Sequence, residues 1–218
     1  EGVCQGAPGC RVRLGSLEPR TITEDFCRRC AALENLCPHF HLSMQSGCDT
    51  VLARMNRKYD SSRDYESVQF LHEVYDRPAI TTDLIVGFPG ETEDEFQQTL
   101  DFIQKCGFAA MHIFPYSRRP GTPAAKMDDP VPRAEKQKWF DTLCAVQNEI
   151  SARLHACYVG KTLRCLVDGE TDDARWPLSA RTAGGRLVHL VGDKSALGQY
   201  RDIKITDSNT WALFGEMV

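Results

Sequence analysis

Two hydrophobic periods alternate along the first two-thirds of the chain. Period-two or unbroken apolar runs predict strands over residues 11–17, 39–45, 79–87 and 109–116. Helical spacing predicts a helix over 22–35 opened by Thr21 and Glu24, one or two helices over 50–75, and helices over 93–106 and 133–156. Strand and helix alternating through short connections predict a parallel sheet, with four strands too few to close a barrel. After Val159 the pattern shortens to alternating strands at 163–167, 186–191, 200–205 and 211–214, separated by Gly, Asp and Ser turns. That is the pattern of a small all-β barrel or sandwich. The expected architecture is therefore α/β over 1–157 followed by a small all-β domain over 158–218.

The most informative segment is TTDLIVGFPGETEDEF at 81–96. The run from Ile80 to Val86 reads as a strand in a parallel sheet covered on both faces, interrupted only by Asp83. Gly87, Pro89 and Gly90 break the run. Thr92 with Glu95 then forms a capping box for a helix that carries Phe96, Leu100 and Ile103. Ligands of α/β proteins bind at such C-terminal strand ends. Asp83 thus either faces a polar ligand or is tied to backbone amides with no ligand. No Gly-x-x-x-x-Gly-Lys is present, which disfavours nucleoside triphosphate chemistry.

Other strand ends carry polar residues in register. Alternation places Phe40, Leu42 and Met44 on one face of their strand and His39, His41, Ser43 and Gln45 on the other. His112, Phe114 and Tyr116 share a face of the next strand but one, which ends near Arg118, Arg119, Gly121 and Thr122. Arg57, on the helix expected after Gln45, either turns toward the same mouth or is a solvated helix charge. An amide, a carboxylate and a guanidinium suit ribose hydroxyls and a ligand carboxylate better than acid/base catalysis. Each of these residues taken singly also fits a satisfied core position. Neither a serine-nucleophile elbow nor His-Glu-x-x-His is present.

Charge and cysteine usage narrow the partners. The 26 Lys and Arg against 30 Asp and Glu give no overall basic field, so a nucleic-acid partner would need a local patch. The ten cysteines are scattered through apolar segments, which fits reduced, mostly buried thiols. Cys27 and Cys30 form a lone Cys-x-x-Cys without the second pair that a zinc site wants. No apolar run reaches the roughly 20 residues of a membrane span, and no signal pattern opens the chain. A soluble, cytoplasmic protein without membrane contact is expected.

Four segments, RVRLGSLEP (11–19), HLSMQSGCDTVLARMNRKY (41–59), TTDLIVGFPGETEDEF and FPYSRRPGTPAAKM (114–127), resemble the radical S-adenosylmethionine superfamily. Within it they resemble the tRNA methylthiotransferases. The RLGSLEP form resembles the branch acting on threonylcarbamoyl-adenosine beside the anticodon. It is less like the isopentenyl-adenosine branch or the branch acting on a ribosomal protein. SARTAGGRLVHLVG (179–192) resembles the TRAM domain that holds RNA.

The resemblance implies a partial TIM-like barrel and particular roles. Gln45 and Asp83 would bind the ribose of S-adenosylmethionine, and Arg57 its carboxylate. The turn from Gly87 through Gly90 to Glu91 would pass its adenine, and Tyr116 would complete the pocket. Trp176, Arg181, Arg186 and Lys204 are the candidates to stack on or neutralise a tRNA anticodon stem-loop, and Trp176 equally fits a core position. In such enzymes a 4Fe-4S cluster cleaves S-adenosylmethionine to a 5′-deoxyadenosyl radical that opens the adenine ring to methylthio insertion. The Cys-x-x-x-Cys-x-x-Cys that would hold this cluster is missing here. The expectation is a C-terminal fragment that starts at the third barrel strand, is inactive alone, and has a sheet edge open to dimerisation. The alternative is a non-catalytic RNA-binding module with a degenerate pocket.

Overall fold

A computed structural model describes residues 1–218. Four parallel strands, β1 (Ser16–Leu17), β2 (His39–Gln45), β3 (Ala79–Val86) and β4 (Ala110–Pro115), form one sheet in that order. Six helices accompany them: α1 (Gly2–Gly6), α2 (Glu24–Ala31), α3 (Asp49–Arg54), α4 (Ser61–Val74), α5 (Glu93–Cys106) and α6 (Arg133–Ala156). One sheet face carries Phe40, Leu42, Met44, Ile80, Leu84 and Val86. It packs against Leu71 of α4, Phe96 and Ile103 of α5, and Trp139 and Leu143 of α6 in a single apolar cluster. Gly47 sits where α5 presses closest, since a Cβ there would lie 2.7 Å from Phe102 Cβ and 3.0 Å from Thr99 Cα.

The expectation of helices on both faces of β3 is corrected. Ile80, Leu84 and Val86 are buried, whereas Asp83 and Ile85 on the opposite face are only half-buried and line open cavities. The polar residues of β2 and β4 share this concave face. The 11–17 strand shrinks to Ser16 and Leu17, paired with His41 and Leu42, plus a lone bridge from Val12 to Leu36. Upstream the segment leaves the sheet because its cations are held elsewhere: Arg11 donates to the Arg181 and Arg164 carbonyls at 3.0 and 2.8 Å. The N-cap of α2 is Thr23, whose Oγ1 accepts from Phe26 N at 3.1 Å, rather than Thr21. That helix stops at Ala31, and the Asn35 side chain instead ties down the Cys4 and Ala7 carbonyls.

Residues 50–75 form two helices, because Asn56 turns into the left-handed region at φ 59° and Asp60 caps a new start. The Thr92–Glu95 capping box opens α5, and Gly107 at φ 63° ends it. Beyond α6, strands β5 (Thr162–Glu170), β6 (Leu178–Arg181), β7 (Leu187–Val191), β8 (Tyr200–Ser208) and β9 (Leu213–Met217) close a barrel in the order β5-β6-β7-β9-β8. Its separate core contains Cys165, Val167, Leu178, Val188, Leu190, Ile203 and Leu213. β6 is an element the turn-rich stretch before it conceals, and Trp211 lies in the turn before β9 rather than in a strand. Of the ten cysteines, seven are buried and all are free thiols. No helix is long and apolar enough to cross a membrane.

Candidate cofactor pocket and nucleic-acid surface

The turn after β3 is built to hold its shape. Gly87 and Gly90 take φ values of 71° and 74°, which L side chains rarely adopt. A side chain on Gly87 would also collide with Lys136. The Glu91 carboxylate, 2% exposed, accepts from Gly87 N at 2.6 Å and Phe88 N at 3.1 Å. Burial pushes Glu91 up to about 7 despite those amides. Lys136 donates to Gly87 O at 2.7 Å and pairs with Asp129 at 2.7 Å, so donors and acceptors of the turn are both clamped. Nearby, Arg54 forks onto Glu95 at 2.9 and 2.6 Å, and this guanidinium holds Glu95 down to about 2.

Above the turn, at the C-terminal strand ends, lies a cavity of 480 Å³. Gln45, Asp83, Ile85, Phe88, Phe114, Tyr116, Ser117, Arg119 and Thr122 line it. Its volume falls within the usual range for small-molecule sites. Gln45 sits at φ 77°, just where the pairing of β2 with β3 slips. A non-glycine residue in that region costs of order 1 kcal/mol or more, and such strain clusters at binding sites. The Tyr116 ring packs edge-on to Phe88 at 5.4 Å, and its hydroxyl oxygen is buried without a partner. Asp83 faces the His41 imidazole, with Oδ2 3.2 Å from Nε2, rather than a main-chain amide.

Of the expected cofactor residues, the fold brings together Gln45, Asp83 and Tyr116. Arg57 is not on a helix but follows α3 in the Asn56 turn, beside Tyr59, whose hydroxyl donates to Ser43 O at 2.5 Å. It is not among the residues lining the cavity. Gly87, Gly90 and Glu91 shape the turn from behind, and Phe88 between them reaches the cavity. Phe88 carried no sequence signal beyond its place between two glycines.

A larger cavity of 910 Å³ separates the other end of the concave sheet face from the terminal barrel. His39, His41, Asp83 and His112 line it on one side, and Arg181, Arg186 and Trp211 on the other. Among the expected RNA-contacting residues, Lys204 is exposed on β8 and Arg181 is exposed but 3.4 Å from Asp168. Arg186 is half-buried over the Tyr158 ring at 4.8 Å, and burial lowers its pKa. Trp176 is half-buried against Phe214, with ring centroids 5.1 Å apart. The freely exposed indole is Trp211, at 73%.

A helix-backed parallel sheet with a cavity at its C-terminal strand ends, joined to a five-stranded barrel, agrees with the families that match. Residues 6–103 match the Radical SAM superfamily and residues 156–218 the TRAM domain, so the chain carries a radical SAM region and a TRAM domain. It is 39% identical over 208 residues to tRNA-2-methylthio-N(6)-dimethylallyladenosine synthase of Clostridium botulinum (strain Langeland), covering 95% of this chain and 46% of that protein. The protein of the same name from Thermoanaerobacter sp. (strain X514) is 38% identical, covering 95% and 44%. The chain thus spans less than half the length of these relatives. Among solved structures, coproporphyrinogen III oxidase from Escherichia coli, described as a radical SAM enzyme, superposes with a TM-score of 0.54 at 20% identity, covering 63% of this chain and 32% of that one. That likeness establishes a shared fold.

Proposed function

We propose that this chain is part of a cytoplasmic tRNA methylthiotransferase, supplying part of an S-adenosylmethionine pocket and an RNA-holding domain. The observation that carries the reading is the 480 Å³ cavity, where Gln45, Asp83, Phe88 and Tyr116 meet at the C-terminal strand ends of a sheet that begins in a radical SAM region. S-adenosylmethionine bound there supplies the alkyl groups of radical and methyl-transfer chemistry. Asp83 and Gln45 would accept and donate to its ribose hydroxyls, and the Phe88 and Tyr116 rings would pack its adenine. A 4Fe-4S cluster does not fit the residues present. The chain lacks the three-cysteine spacing, and no cysteine lines the cavity.

The nucleoside is proposed as threonylcarbamoyl-adenosine beside the anticodon, on the strength of the RLGSLEP segment at 13–19. Dimethylallyl-adenosine is the second reading, favoured by the names of the relatives. A non-catalytic RNA module would keep the barrel and lose the ligand. Isothermal titration of the purified chain with S-adenosylmethionine separates these. Binding in the micromolar to millimolar range that disappears in Asp83→Ala is expected, whereas no heat at millimolar ligand overturns the cofactor reading. Mass spectrometry of tRNAs carrying either modified adenosine, after incubation with the longer protein containing this chain, decides the nucleoside.

A further inference from the structure

We infer that His41, Asp83 and His112 form a binding site for a divalent first-row metal ion on the concave face of the sheet, sharing Asp83 with the cofactor pocket proposed above. The three residues stand on three adjacent parallel strands. Asp83 of β3 is in register with His112 of β4, and His41 of β2 is in register with Thr81, two residues before Asp83 on the same face. One nitrogen or oxygen from each lies within 4.8 Å of the other two. His41 Nε2 and Asp83 Oδ2 are 3.2 Å apart. Two donors about 2.0–2.1 Å from a tetrahedral zinc ion lie roughly 3.3 Å apart, so this pair already has the spacing of a shared ligand shell. The His112 ring centroid is 5.8 Å from that of His41, and the residue is exposed, so its side chain can close on the ion by rotation.

The surroundings of the trio favour a metal over a simple ion pair. The Nδ1 atom of His41 is 2.9 Å from Thr81 Oγ1, a second contact that orients the ring and leaves Nε2 for the metal. Such outer contacts are the usual support of imidazole ligands. All three residues line the 910 Å³ cavity, which supplies an entry path and room for water in the remaining coordination positions. Two imidazoles and one carboxylate select zinc or a neighbouring first-row ion over calcium or magnesium.

Cobalt(II) titration of the reduced, chelator-washed chain provides the test, because its visible bands report the donor set. One equivalent is expected to bind with nitrogen and oxygen ligation and no thiolate-to-cobalt charge transfer, and to be displaced by zinc. His112→Ala and His41→Ala should each weaken it by at least about tenfold. Circular dichroism of His112→Ala, an exposed site, guards against unfolding. Binding through thiolates, binding unchanged in both histidine variants, or no binding at 100-fold excess over protein would each overturn the inference. Both variants retain Asp83, so loss of cobalt with S-adenosylmethionine binding intact supports the metal site separately. Absent metal binding with cofactor binding intact overturns the metal site alone.

Discussion

Asp64 of α4 is 1% exposed, and neither of its carboxylate oxygens has a hydrogen-bond partner. Desolvation raises it from 3.8 to about 8, with Asp60 adding repulsion and Arg63 and Arg57 offsetting part of it. Because the folded value lies above the ordinary one, folding favours the protonated form. The associated stability is present below about pH 4 and is lost as pH rises toward 8, by at most about 1.4 kcal/mol per unit. Asp64→Asn should therefore flatten the decline and stabilise the chain by about 2–4 kcal/mol at pH 8. Urea unfolding of both proteins at pH 5 and pH 8 measures this, and equal pH slopes would refute it. Glu91 behaves differently, since two amides depend on it. Glu91→Ala leaves the Gly87 and Phe88 N–H groups buried without acceptors and should cost about 2–4 kcal/mol in the same measurement.

Elements with local punctuation were the ones legible from sequence. The bounds of α5 follow from the Thr92–Glu95 box and Gly107, and the apolar spacing of α6 and the alternation of β2 were equally clear. What local pattern cannot carry is the outcome of long-range competition. Residues 11–14 read as strand, but Arg11 is drawn to carbonyls some 150–170 positions away, and the pairing shortens to two residues. Arg57 read as helical, but the left-handed Asn56 ends the helix first and turns the guanidinium toward Tyr59. At the candidate site the polar face of β2, Asp83 and Tyr116 were visible as residues. The slip in pairing that seats Gln45 was not, because no local period marks a register shift; two residues on, α5 presses against the chain at Gly47, and the placement of Gln45 is expected to depend on that contact. Gly47→Ala tests that dependence. The added methyl must displace Phe102 and Thr99, costing about 1–3 kcal/mol, and should weaken S-adenosylmethionine binding through Gln45 without touching the cavity. Unchanged affinity in a folded variant would disconnect the helix contact from the pocket.

At the scale of the whole molecule, two apolar cores meet across a largely polar seam. Arg11 on the Arg181 and Arg164 carbonyls, Arg13 on the Ala183 carbonyl at 3.5 Å, and His155 Nδ1 at 2.8 Å from Asn209 O hold it. Cations spent on that seam are not free for phosphate, and with a net charge of −4 the chain has no general attraction for RNA. The RNA affinity proposed for this chain would then come from exposed groups of the barrel such as Lys204, and from stacking on an accessible ring. The two indoles divide those duties. Trp176 packs on Phe214 while Trp211 stands 73% exposed at the rim of the larger cavity. Trp176→Ala should lower the melting temperature by several degrees with a small effect on RNA. Trp211→Ala should leave stability within about 0.5 kcal/mol but weaken binding of an anticodon stem-loop by about 1–3 kcal/mol, the worth of one stacked base. Lys204→Glu should weaken binding and lower the salt slope. Fluorescence anisotropy across a salt series, with melting curves of the same samples, reads all three. Stem-loop affinity indifferent to both Trp211 and Lys204 would place the RNA on another face of the barrel.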